Sequence, residues 1–197
     1  MLLLVLGLLV FLGVHSASIV APGWRDAQVA QRGEGVWKGA YSLLSLVGFV
    51  LIVVGYGQAR LDPVLLWQPP AGMRHAALLL MLPVFPLLLA AYLPGRIKTA
   101  TKHPMLVAVK LWALAHLLAN GGAHDLLLFG GFLAWAVVDR ISVKRRANPH
   151  AVPGAPAGRW NDLIVIVGGL ALYAFFAAKA HLWLIGISPL PMRAAGA

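Results

Sequence analysis

Long apolar runs with few or no charges, separated by basic connections, constrain this chain more than any other feature. A stretch such as Ala40–Tyr56 has no face it can turn to water along its whole length. Hydrocarbon offers a backbone no hydrogen bonds, so such a run must satisfy its own N–H and C=O groups as a helix, with about 20 residues to a crossing. The apolar runs fall at residues 1–20, 40–56, 75–92, 104–120, 125–138 and 163–187. The expectation is an all-α, polytopic integral membrane bundle of about six transmembrane helices, forming one domain over residues 1–197. Composition agrees: 11% of residues are charged, against roughly 25% in soluble domains, too few to coat a water-facing globule.

Local signals refine the boundaries. Pro83 and Pro86 should kink or interrupt the third run, because each removes a donor from the helical ladder. Pro104 suits the first turn of the fourth, where a missing N–H costs nothing. Asn161 or Asp162 is expected to cap the sixth. Residues 148–158 (NPHAVPGAPAG) read as a flexible loop. The first run carries no Lys or Arg before it and is long enough to span, which favours a retained helix over a cleaved signal. No internal repeat is visible. Gly130–Gly131 and Gly168–Gly169 offer small surfaces for close helix packing.

The net charge of +10 does not point to nucleic acid. The basic residues lie between apolar runs with no aromatic-plus-basic stripe, so they read as topology signals and contacts to membrane lipid headgroups. Eleven of the sixteen lysines and arginines fall in the first, third and fifth loops. The positive-inside rule then puts both termini on the non-cytoplasmic side. Cysteine is absent, so thiolate ligands, iron–sulfur clusters and disulfides are excluded, and any metal must be held by histidine, methionine or oxygen.

Ionisable residues within apolar runs cost about 2.5–3.5 kcal/mol each on insertion scales for Arg, Lys or Asp. The candidates are His15, Lys110, His116, Lys179 and His181, with His103 at the mouth of the fourth run. At ~100° per residue, Met105, Trp112, His116 and Asn120 fall along one stripe, while His103 and Lys110 share another face. One reading is structural: Lys110 snorkels, Trp112 packs and His116 donates one hydrogen bond to backbone. The other makes intramembrane histidines on separate helices the axial ligands of a haem. His15 and His116 are one pairing, although rise per residue separates them by ~10–15 Å along the membrane normal. His116 with His181 or His75 is the competing one. His124 and His150 lie between runs and read as solvated residues.

The string HPMLVAVKLWALAHLLANGG resembles the NnrU family of bacterial membrane proteins, as do FLGVHS, WKGAYSLLSLVGFVLIVVGYG and PGRIKTATKHPM. That family is similar to the cis-zeta-carotene isomerase of plants and cyanobacteria, a haem-b membrane enzyme. The resemblance implies a bacterial inner-membrane protein in which His15 and His116 match the ligand-like histidines and His103 the histidine before the shared proline. It further implies haem b, redox-gated isomerase chemistry on an apolar polyene or a quinol, or a role in denitrification and nitric-oxide metabolism. Within such a site Trp112 and Met105 would form a cavity wall, Asn120 a polar contact and Lys110 a partner for propionates. A haem-bearing accessory, sensor or electron-transfer subunit is the alternative. A membrane methyltransferase is a weaker one, since His103-Pro104 is followed by no glutamate in residues 139–146.

Overall fold

A computed structural model describes residues 1–146 and 154–190. His150 and the start of the expected loop at 148–158 therefore lie outside the described residues; residues 154–158 carry no helix. Among the described residues the elements are α1 (Leu2–His15), α2 (Ala17–Val20), α3 (Pro22–Arg32), α4 (Glu34–Ala59), α5 (Met73–Met81), α6 (Val84–Tyr92), α7 (Arg96–Thr101), α8 (Pro104–Ala119), α9 (Ala123–Asp125), α10 (Gly131–Arg145), α11 (Asn161–Phe175) and α12 (His181–Ile185). Two π-helical turns, Leu126–Gly130 and Phe176–Ala180, join α9 to α10 and α11 to α12. No strand occurs among these residues; an isolated antiparallel bridge links Leu65 to Gly122.

Among the described residues four helices are long and apolar enough to cross a membrane: Glu34–Ala59, Met73–Tyr92, Ala123–Arg145 and Asn161–Ile185. The expected count of about six is not reached on length. The other two runs form Leu2–His15, 14 residues, and Pro104–Ala119, 16 residues. At 1.5 Å per residue these extend roughly 21 and 24 Å, short of a hydrocarbon core of about 30 Å. The first run is shortened because the chain breaks at Ser16, whose hydroxyl turns back to Leu12 O at 2.7 Å. The third run is interrupted at Leu82–Pro83, as its prolines require. Large apolar side chains on α4 point outward, Leu43 63% and Leu46 58% exposed, the arrangement expected of a lipid-facing surface.

The chain divides into two compact units. Unit one holds residues 1–68 and those from 120 through α10; unit two holds residues 69–119 and those from 154 onward. In unit one, α1 packs along α4 at glycine distance. A Cβ at Gly7 would stand 2.5 Å from Ile52 N, one at Gly48 would stand 2.7 Å from Phe11 N, and one at Gly55 would overlap Leu4 backbone. With little gain from burying apolar surface in lipid, van der Waals contact between closely packed backbones becomes the main attraction.

In unit two, α6 meets both α8 and α11, around a core of Val84, Leu87 and Ala108. Gly169 lies against Pro86, where a Cβ would come to 2.5 Å of Pro86 Cα. Gly130 and Gly131 make no such close approach, so of the two small pairs only Gly168–Gly169 sits at a tight contact. The expected cap on the sixth run differs too. Asp162 instead accepts from Arg96 N at 2.9 Å and Ile97 N at 3.1 Å, capping α7 from another helix. Asn161 Nδ2 donates to Pro94 O at 2.8 Å and Pro156 O at 3.1 Å. Both polar side chains are spent on tying the α6–α7 connection to α11.

Gly55→Leu forces α1 away from α4 and should lower stability by roughly 1–3 kcal/mol, the usual cost of overpacking. Gly57→Leu, whose Cβ meets nothing within 4 Å, is the matched control. Thermal unfolding in detergent should separate the two; equal melting temperatures would contradict the packing described.

Candidate functional site

The sequence candidates fall in both units. His15 ends α1, and its Nδ1 donates to Phe11 O at 2.7 Å. Its ring lies 4.1 Å from that of Phe11, 5.1 Å from Tyr41 and 6.0 Å from Trp135 by centroids. His116, on α8, repeats the device: Nδ1 donates to Trp112 O at 2.8 Å, four residues back, and the Trp112 ring lies 5.4 Å away. His181 begins α12, just after the π-helical turn, and its Nδ1 donates to Ile187 O at 2.6 Å. A carbonyl can only accept, so Nδ1 is the donor in each bond, and in the neutral ring the lone pair then lies on Nε2. That is the tautomer a metal-ligating histidine adopts when a backbone carbonyl holds its other nitrogen.

Within unit two, α8 and α12 bring His116 and His181 together, with ring centroids 6.4 Å apart and planes 22° from parallel. Phe176, in the π-helical turn, touches His181 edge-on at 6.4 Å and Phe85 at 5.3 Å. π-Helical turns inside helices often mark functional positions, and this one sets the entry to His181. His15 belongs to unit one and has its own aromatic surround. Beside it, Trp135 Nε1 is a buried donor with no hydrogen-bond partner.

Lys110 and Met105 lie on α8, both half-buried. His103 follows Lys102, whose φ of 61° and ψ of −44° approach a classic γ-turn, closed by His103 N donating to Thr101 O at 2.7 Å. Such a backbone is strained by about 1–3 kcal/mol for a non-glycine residue. Asn120, expected beside His116, is the first residue grouped with unit one. No group of three or more His, Asp or Glu able to hold a metal ion exists among the described residues.

His124, expected to be solvated, is a correction. It is 6% exposed and neighbours Asp125, 5% exposed. Asp125 Oδ1 accepts from Tyr56 OH at 2.6 Å and Oδ2 from Gly122 N at 3.0 Å, while His124 Nε2 stands 3.6 Å from Oδ2. The Tyr56 ring lies 5.2 Å from His124 and 6.3 Å from Phe129, with the Arg60 guanidinium 5.9 Å from it. His124 Nδ1 has no hydrogen-bond partner. The cluster is covered by residues 64–67: Leu66 N donates to Gly121 O at 2.8 Å and Ala123 N to Val64 O at 2.8 Å. Only the sequence step Gly-Gly-Ala-His-Asp at a run boundary hinted at it; what buries it is a long-range chain crossing that no local pattern encodes.

Four membrane-length apolar helices in an otherwise helical fold, counted among the described residues, define a class, the helical membrane proteins. Comparison with protein families matches residues 3–189 to NnrU protein, and the chain belongs to the NnrU family. Neither the curated proteins nor the solved structures returned a match.

Tyr56→Phe leaves the buried Asp125 carboxylate short of one donor, and a loss of about 1–3 kcal/mol is expected. With Asp125→Asn in a double-mutant cycle, the pair should couple by roughly 0.5–3 kcal/mol. Denaturant unfolding in detergent supplies the four values, and additive single effects would contradict the described bond.

Proposed function

We propose that this NnrU-family protein is a bacterial inner-membrane protein that binds haem b through intramembrane histidines. His116 is the central ligand. His181 is the partner favoured by proximity, and His15 is the partner implied by resemblance to the carotenoid isomerase. The observation that carries the reading is the shared Nδ1-to-carbonyl bond of all three imidazoles, which in the neutral ring leaves the lone pair on Nε2. The close His116–His181 approach supports the pairing. When bound, haem b would supply a one-electron couple and, with one axial imidazole displaced, an open coordination position.

What this chain's own residues do is hold and orient. Trp112 and Phe176 fix the faces of His116 and His181, exclude water and keep the site apolar. Met105, on the same stripe of α8 as Trp112 and His116, would line the site, while Lys110, on another face of that helix, would be available to propionates. An apolar polyene or a quinol suits such surroundings, and redox-gated isomerisation or a role in nitric-oxide metabolism follows from the same site. With both termini non-cytoplasmic, the basic first, third and fifth loops face the cytoplasm.

Alanine variants name the ligands. His116→Ala should abolish the Soret band of the purified protein, and His181→Ala should convert the spectrum to that of a single-imidazole haem. His15→Ala should leave the spectrum unchanged if His181 is the partner; if His15 is the partner, His15→Ala should give the single-imidazole spectrum and His181→Ala should leave it unchanged. Spectra unchanged in all three variants would overturn the assignment. Alkaline phosphatase fused after Ala197 should be active under this topology and inactive under the opposite one.

A further inference from the structure

We infer that unit one carries a binding site for an anionic phospholipid in the cavity between α1, α3 and α4. This inference does not depend on the haem reading. The cavity has a volume of about 380 Å³, within the ~300–1,000 Å³ of small-molecule sites. Its walls are apolar: Trp24 on α3 and Trp37 on α4 meet edge-to-face at 5.6 Å, and Ala40 and Tyr41 continue the α4 wall. Its polar lining is Gln28 and Arg32, both from α3.

The charges around the cavity select the occupant. Arg25 is paired with Asp26 at 2.9 Å and Lys38 with Glu34 at 2.9 Å. Arg32 lines the cavity at the end of α3 and has no acidic partner among the described residues. An apolar enclosure with one uncompensated guanidinium and a carboxamide at its edge matches a hydrocarbon chain that ends in a phosphate. Guanidinium and phosphate form charge-assisted, bidentate hydrogen bonds. The paired Trp24 and Trp37 rings sit where the chain meets the headgroup, the depth that tryptophan favours in membranes. A zwitterionic lipid presents the same chains but brings its own cation to the guanidinium.

The test uses the full chain labelled with 5-fluorotryptophan in neutral detergent, with the Trp24 and Trp37 fluorine resonances assigned through Trp24→Phe and Trp37→Phe. Phosphatidylglycerol and phosphatidylcholine of identical acyl chains are titrated separately. Phosphatidylglycerol should shift both resonances saturably and at lower concentration than phosphatidylcholine. Arg32→Gln should weaken phosphatidylglycerol about five-fold, the worth of roughly one basic residue near an anionic headgroup, and leave phosphatidylcholine unchanged. Ala40→Phe, at an exposed position on the cavity wall, should remove the response to both lipids while the circular dichroism spectrum stays helical. Equal saturation by the two lipids would overturn the inference, as would tighter binding of free oleate or a response that survives Ala40→Phe.

Discussion

An imidazole enclosed by apolar helices must find a partner for its N–H within reach of its own backbone, because lipid supplies none and the penalty for an unpaired group is several kcal/mol. His15 and His116 meet that demand in the same way, each turning Nδ1 to the carbonyl four residues back and resting on the aromatic ring at that position. His181 uses the carbonyl of Ile187 beyond the helix end. The bond that makes burial tolerable also fixes the tautomer. The three imidazoles thereby share one arrangement, Nδ1 toward a carbonyl, and the distinction between packing and function rests on what stands opposite Nε2.

The segments and their apolar character were legible from the chain, because a run of twenty residues without charge admits few folds in lipid. Individual lengths were less so. The break at Ser16 shortens the helix that carries His15, and apolarity alone does not register such a break, whereas α8 runs over the residues its apolar run marks. The proline interruption of the third run was readable, since proline acts locally on the ladder. The roles of Asn161 and Asp162 were not, because their acceptors and donors lie some 65 residues away.

The polar cluster of Tyr56, His124 and Asp125 shows the same limit at a site. Read along the chain, His124 stands at a boundary between runs and looks solvated. In the fold, pairing of residues 64–67 with Gly121 to Ala123 seals it from solvent, and Asp125 draws its two donors from α4 and from Gly122. Burial of a carboxylate beside an imidazole is costly enough to require this full set of partners. The pairing of His116 with His181 was foreseeable only as one of several options, since helical spacing gives a stripe on one helix but not the register between α8 and α12.

Glycine and aromatic residues divide the remaining work. Gly7, Gly48 and Gly55 let α1 and α4 approach closely in unit one, while Phe85, Phe176, Trp112 and the two histidines form a ring-to-ring sequence in unit two. The central claim is that this second arrangement holds a haem. Its most direct test is a pyridine haemochrome assay on the detergent-purified protein from haem-replete cells, read beside the dithionite-reduced spectrum. The account predicts about one haem b per chain with a sharp reduced α-band. A colourless protein would contradict it and return the three histidines to packing.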